Sequence, residues 1–423
     1  MDTEIVQERF GSLLSIPDCS IVALASAIRF KIFGVELPSH LVSRLNGSYN
    51  LVYIVEFDDG VKYVVRVPAV GWGDRLTETA RNSLESQALT MRFIKKETML
   101  PLPDVYDFDT TTTNGIGAPY MVMSFIPGST VSSLWFDKSG PMPLEERRMR
   151  TLDTVAKAMS QLQLTSFRFD KIGSLQFTDG TANQPTIGPC YKWDEGKSGD
   201  ERYGKRITVT PFGPFHTSQS FLRYCLDHDS DNKRHMWSVG ARQLVGMMIP
   251  CLPRPPENQR ETFVLSLPDF DSQNVMTDES GSLTGIIDWD NVQTNPLFLG
   301  YSCFPSWITT DWDPLMYCPT YDGCNSPEEL KRYRHRYNNE MRKWLHGNGD
   351  SIFTAESHIF EAVEIAAKNP DCRVSIVSNI VKHVLPDCNE WSVAEDVAER
   401  KLTPKEMRKL KQGLQALLSI GRW

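Results

Sequence analysis

Three oxygen-bearing side chains past the middle of this 423-residue chain carry its strongest chemical signal. Asp269 stands in Leu265-Ser266-Leu267-Pro268-Asp269-Phe270-Asp271-Ser272-Gln273-Asn274-Val275, with Asn274 five residues on, and Asp288 lies in Gly285-Ile286-Ile287-Asp288-Trp289-Asp290. Phosphoryl transfer from ATP needs a carboxylate that orients the attacking hydroxyl and accepts its proton, plus oxygen ligands for magnesium on the β- and γ-phosphates. This segment can supply all of them. Singly, Asp269 and Asn274 read as turn caps and Asp288 as the end of a strand. The set becomes informative because two strand-like runs, Asn274 to Thr277 and Leu283 to Asp288, are joined by the turn signal Asp278-Glu279-Ser280-Gly281.

The layout resembles the catalytic and metal-binding loops of aminoglycoside phosphotransferases and their choline-kinase-like relatives, and looks like the branch found in filamentous fungi. The resemblance extends over roughly residues 40 to 310 by motif. It implies that Asp269 is the catalytic base and that Asn274 and Asp288 are magnesium ligands. It also matches the family's nucleotide loop to Arg44-Leu45-Asn46-Gly47-Ser48-Tyr49-Asn50. There Gly47, Ser48 and Asn50 would cradle phosphates, since glycine permits close backbone approach and successive N–H groups bind phosphate oxygens.

In Tyr63-Val64-Val65-Arg66-Val67-Pro68, Arg66 takes the place of the lysine in the wider kinase pattern. Its planar fork grips phosphate with a geometry different from an ammonium's. Lys62 shares that strand face about 13 Å away. The partner acid belongs on the next helix, yet the family's Glu position aligns with Gln87. Either an Arg-to-Gln hydrogen bond replaces the ion pair, or the helix shifts register to use Glu85. The resemblance makes Tyr120-Met121-Val122-Met123-Ser124-Phe125-Ile126-Pro127-Gly128 a hinge whose backbone from Ser124 to Ile126 would bind adenine. Leu267 stands where the family usually has His, and His216 is the one histidine to watch as a substrate contact.

These groups need elements to hold them. Helices are expected over Thr3 to Leu14 and Ser20 to Phe33, where Ile21, Ala25, Ile28 and Ile32 share one face. A hairpin follows, Leu51 to Phe57 and Val61 to Val67 around Asp58-Asp59-Gly60. Next come a helix over Leu76 to Lys96, ending before Pro101 and Pro103, and a strand over Tyr120 to Ile126. Past the Pro-Gly exit, the spacing predicts a helix over Leu144 to Leu164, a loop-rich stretch from Thr178 to Gly213, a strand over Phe263 to Leu267, and mainly helices after Ser326.

The fold class expected is therefore α+β, and the resemblance makes it bilobal and protein-kinase-like. A helical extension would occupy 1–39, a small nucleotide-binding lobe 40–127, and a larger, mainly helical catalytic and substrate lobe 128–423. The implied cofactors are ATP and Mg, and the implied partner is a hydroxylated small molecule. In Pro305-Ser306-Trp307-Ile308-Thr309-Thr310-Asp311-Trp312-Asp313-Pro314, rings beside two acids suit a cationic or ring-bearing substrate, though simple packing of the large lobe explains them better.

Composition narrows the rest. A charged fraction of 23% and net charge of −8, interspersed and without a basic block, argue against a nucleic-acid partner. The apolar run Ile21 to Ile28 is far shorter than the roughly 20 residues a membrane span requires. Asp2, Glu4 and Glu8 stand where a signal peptide would be basic. Nine cysteines without a CxxC pair suit reduced thiols, so a cytoplasmic location is expected. The rival reading is a nucleotide-binding pseudokinase, because Leu267, Arg66 and Gln87 depart from the family pattern together. A protein kinase is disfavoured because no long activation segment and no Ala-Pro-Glu ending follow Asp288.

Overall fold

The computed structural model describes residues 3–420 except 165–166, 179, 181, 197–205, 229–234, 257, 313–316, 318–322 and 347–348. The chain divides into two compact units. The first takes Met1–Gly128, Gly173–Pro214 and Thr284–Gln293, and the second Ser129–Ile172, Phe215–Leu283 and Thr294–Trp423. Two segments beyond residue 128 thus fold with the first unit.

The first unit is built on a five-stranded antiparallel sheet: β1 (Ser39–Asn46), β2 (Asn50–Phe57), β3 (Lys62–Pro68), β4 (Val105–Asp109) and β5 (Tyr120–Ser124), in the order β1-β2-β3-β5-β4. Strict alternation sorts its faces. Leu51, Tyr53, Val55 and Phe57 of β2, with Tyr63, Val65 and Val67 of β3, bury into one core with Phe10, Ile21, Ala25 and Ile28. The last four come from helices α1 (Thr3–Phe10) and α2 (Asp18–Phe33). Lys62, Val64 and Arg66 therefore share the opposite face.

The hairpin register pairs Val52 with Arg66 and Glu56 with Lys62. Helix α3 (Glu78–Glu97) starts at Thr77, whose hydroxyl accepts the Ala80 N–H at 3.2 Å. Strand β1 lies outside the expected hairpin because its exposed, alternating stretch carries little apolar signal. The loop expected over Thr178 to Gly213 contains a hairpin, Cys190–Asp194 paired with Thr208–Phe212, and residues 179, 181 and 197–205 lie outside the described set.

The second unit is mainly helical. Leu144–Met159 packs on Pro327–Trp344, a helix opened by a capping box between Ser326 and Glu329, and Ser357–Lys368 packs on Pro370–Val384. Short antiparallel pairs, Phe263–Ser266 with Arg168–Phe169 and Val275–Thr277 with Ser129–Thr130, carry the loop that bears Asp269. The α+β expectation holds. Among the described residues no single helix is long and apolar enough to cross a membrane, while the bent pair Thr3–Ser15 and Asp18–Phe33 together meet that length and composition.

Candidate active site

In the first unit, alternation along β3 aims Arg66 away from the core, and its guanidinium meets two acids. Arg66 Nη2 lies 3.0 Å from Asp290 Oδ2 and 3.2 Å from Asp288 Oδ1. The Asn50 amide donates to Asp290 Oδ2 at 2.9 Å, and the Gln87 amide donates to Asp290 Oδ1. Asp290 thus gathers donors from β2, β3 and α3. Neither expected arrangement of Gln87 occurs: it does not replace the acid directly, and the helix does not turn Glu85 inward, for Glu85 lies near Tyr191. The missing carboxylate comes instead from the loop. Lys62 pairs with Glu56 at 3.5 Å and lies over the Phe125 ring, which leaves Arg66 as the cation of this cluster.

Burial raises the Asp290 carboxyl above the ordinary carboxylate range. Arg66, Asn50 and Gln87 pull it back, while Asp288 pushes it further up. Burial opposes the charge on Arg66, but Asp290 and Asp288 more than offset this and hold its pKa above normal. Arg66 therefore stays charged, and the titration of each group depends on the other. Asp288 takes a left-handed backbone, φ 61°, a conformation that Asp tolerates better than most residues at a cost of about 1–2 kcal/mol. The next residue, Trp289, is fully buried with Nε1 donating to the Ile286 carbonyl at 2.9 Å. Burial of a large side chain contributes about 3 kcal/mol, enough to hold that turn. Asp288 keeps 39% of its side chain exposed.

Gly47 sits in the β1–β2 turn, its N–H bonded to the Asn50 carbonyl at 2.9 Å. A Cβ there would lie 3.1 Å from that carbonyl oxygen, so the tight turn favours glycine. Ser48 is exposed, and its carbonyl accepts Arg9 Nη1 at 2.6 Å, which ties the turn to α1. At the end of β5, the N–H groups of Ser124 and Phe125 bond the carbonyls of Asp104 and Lys62. Of the hinge trio only the Ile126 N–H has no backbone partner among the described residues. Ile126 closes over Gly285, where a Cβ would come within 2.7 Å of Ile126 Cγ2.

The second unit holds Asp269 and Asn274. Asn274 is buried and its Nδ2 donates to Asp269 Oδ2 at 2.9 Å and to the Asp269 carbonyl at 3.0 Å. Gln273 Nε2 donates to the same carboxylate at 3.2 Å. With both amide hydrogens of Asn274 committed to Asp269, its Oδ1 is the side-chain atom left to accept or ligate. The loop is fastened on both sides: Ser132 N–H bonds the Ser272 carbonyl at 3.0 Å, Ser306 N–H bonds the Phe270 carbonyl at 3.0 Å, and Ser306 Oγ donates to Asp271 Oδ1 at 2.7 Å. Leu267 is buried in the core, so apolar packing stands where the family's His would buttress the loop.

Trp307 and Trp312, both nearly buried, line a cavity of about 440 Å³ with Trp135, Asp271, His358 and Glu361. Asp311 is held by both Nη atoms of Arg334 at 2.6 and 2.9 Å, and Asp313 lies outside the described residues. His216 lines a different cavity, beside Arg168, Arg254 and Arg260. Sequence reasoning missed Asp290. The signal was there in Asp288-Trp289-Asp290 once Gln87 left the cation without an acid.

The sequence of this chain was also compared with known proteins. The Phosphotransferase enzyme family matches residues 41–343. A 22% identical relative, Clavilactone A biosynthesis cluster protein Y of Ampulloclitocybe clavipes, aligns over 84% of this chain and 83% of its own length. Altered inheritance of mitochondria protein 9 of Yarrowia lipolytica is also 22% identical, over 57% of this chain and 44% of its own, so the chain spans less than half of that relative. Among solved structures, a thermostable mutant of aminoglycoside phosphotransferase APH(4)-Ia in complex with AMP-PNP and hygromycin B shares 15% identity at TM-score 0.45, covering 89% of this chain and 96% of that one. With a family match across residues 41–343, most of its length, this α+β protein belongs to the phosphotransferase enzyme family.

Proposed function

We propose that the protein transfers the γ-phosphoryl group of ATP to a hydroxyl of a small molecule. The observation that carries this reading is the pre-set Asp269–Asn274 pair, an exposed carboxylate whose second oxygen is fixed by two amides. In the transfer the acceptor oxygen bonds the γ-phosphorus, the bond from that phosphorus to the bridging oxygen of ADP breaks, and the acceptor's proton passes to Asp269. Positioning of this kind contributes about 10²–10⁴ in rate.

The donor set suits magnesium. Asp288 offers a half-exposed carboxylate and Asn274 an amide oxygen, both hard ligands. When bound, magnesium would neutralise charge developing on the β- and γ-phosphates. Arg66 would steady those phosphates, the N–H groups of Ser48 and Tyr49 would face them, and Ile126 N–H would receive adenine. Gln87 acts through Asp290 and keeps Arg66 in place.

Calorimetry of ATP with magnesium, on the wild type and on Asp288→Ala, tests the reading. Metal-dependent binding lost in the variant supports it. A wild type that binds no nucleotide overturns it.

A further inference from the structure

The turn that carries Gly47, Ser48 and Tyr49 is gripped from outside by two segments that do not belong to its hairpin. Arg9, on α1 and only 6% exposed, donates from Nη1 to the Ser48 carbonyl at 2.6 Å. Its backbone is pinned in turn, because the Arg9 carbonyl accepts Arg75 Nη1 at 2.9 Å and Trp72 Nε1 at 3.2 Å. The guanidinium therefore reaches the turn from a fixed base. On the hairpin of Cys190–Asp194 and Thr208–Phe212, the Trp193 ring stacks on Tyr49, with centroids 5.0 Å apart and planes 11° from parallel. Glu195, just beyond that strand, lies 4.0 Å from Arg9 Nη2 and joins the two grips. All of these residues fold within the first unit.

Together the contacts fix a peptide plane. A trans peptide holds its carbonyl and its N–H on opposite edges. Anchoring the Ser48 carbonyl on Arg9 thus turns the Tyr49 N–H to the side away from Arg9. The Tyr49 carbonyl is held as well, by the Ala69 N–H at 2.8 Å, and the Asn50 carbonyl by the Gly47 N–H at 2.9 Å. Of these bonds the one from Arg9 carries a charged donor, which makes it stronger than a neutral amide pair. The stacked rings add a geometric preference to their burial. An ungripped turn would have to be ordered by its ligand, which lowers affinity. Arg9 precedes residues 41–343, over which the chain matches its family, so half of the grip comes from outside the matched region.

Resting on the phosphotransferase reading, we propose that Arg9 and Trp193 are positioning residues for the phosphates of the nucleotide. They hold the Ser48–Tyr49 peptide in its binding orientation before ATP arrives. Because they act on the turn, they govern the phosphate end of the nucleotide and not its adenine.

The test uses the full-length wild type, Arg9→Met, Trp193→Leu and Trp193→Phe, each with a melting temperature above that of the assay. ATP with magnesium is titrated by calorimetry and adenosine, which has no phosphates, by saturation-transfer NMR. ATP affinity should fall at least tenfold in Arg9→Met and in Trp193→Leu, while adenosine affinity stays within twofold. Trp193→Phe keeps a ring against Tyr49 and should bind ATP within threefold of the wild type. Without nucleotide, hydrogen exchange at the Gly47 and Ala69 amides, which close the turn, should quicken at least tenfold in the first two variants. Equal losses for ATP and adenosine would reduce both residues to general supports of the fold and overturn the proposal, as would unchanged exchange. A wild type that binds ATP beside variants that bind it equally well overturns the positioning role alone. A wild type that binds no nucleotide overturns the phosphotransferase reading and the proposal with it.

Discussion

The two units solve the problem of holding a charged group in opposite ways. In the first, one buried carboxylate, Asp290, is satisfied by Asn50, Arg66 and Gln87, drawn from segments up to 240 residues away in sequence. In the second, Asp269 is satisfied by Gln273 and Asn274 within a single loop, and keeps its exposure. A remote network can be largely desolvated because each partner arrives on a rigid element. A local loop fixes geometry with little burial, which suits a group that must meet a substrate and take up its proton.

The largest effect should come from the local site. Asp269→Asn should lower the rate of phosphoryl transfer by about 10²–10⁴ while leaving ATP affinity nearly unchanged. Single-turnover transfer from labelled ATP, beside calorimetry, separates the two. A variant that keeps wild-type turnover would remove Asp269 from the chemistry.

Breaking the remote network should instead appear in stability. Asp290→Ala leaves Arg66 with Asp288 alone and two amides unpaired, a loss of about 1–3 kcal/mol in urea unfolding. Gln87→Glu should also destabilise, by placing a second carboxylate against Asp290. Combining Gln87→Glu with Asp290→Asn restores one acid for the arginine. The double variant should exceed Asp290→Asn alone by about 1–2 kcal/mol, and strict additivity would show that the two positions do not communicate.

Acid sensitivity sharpens the contrast from the cavity side. His358 is held near 3 in the fold, below its ordinary 6.5, so between those values the unfolded chain binds a proton that the native state refuses. Stability is therefore lost as pH falls from 6.5 toward 3, by about 1 kcal/mol per pH unit from this group. His358→Phe should flatten the difference in that window. Equal slopes for variant and wild type would mean that the ring protonates freely. The smallest effect is steric: Gly285→Ala should cost about 1–3 kcal/mol by pressing on Ile126, with nucleotide affinity falling alongside. Thermal melts and ATP titration report both.

The same contrast explains what the sequence disclosed. Asp269 and Asn274 are five residues apart, so their spacing, the hairpin that follows and the family resemblance together singled them out, and the pairing of β2 with β3 follows from alternating apolar residues around Asp58-Asp59-Gly60. Asp290 stood beside Asp288 in the sequence but carried no pattern of its own, because its partners converge only through tertiary contact and no local spacing records a hydrogen bond from Gln87 to a residue 203 positions on. The cavity was half legible: Trp307 and Trp312 drew notice, but Glu361 and His358 sit on a helix whose periodicity advertises only packing. Strand β1 was missed because its polar, exposed face gives no apolar alternation to read.

The origin of Asp290 has a consequence for the order in which the chain can mature. Arg66 leaves the ribosome early, but the acid it needs lies 224 residues later. At roughly 5–20 residues per second, the nascent first unit would wait on the order of ten seconds or more with that cation unmatched. Its sheet can form from local hairpins in the meantime, yet the face that carries Arg66 stays incomplete until Thr284–Gln293 returns to it. Late docking of that segment makes synthesis of the second unit's Ser129–Ile172 and Phe215–Leu283 a precondition for finishing the first, so a chain stalled or truncated before it would be left with a sheet lacking its proposed catalytic electrostatics.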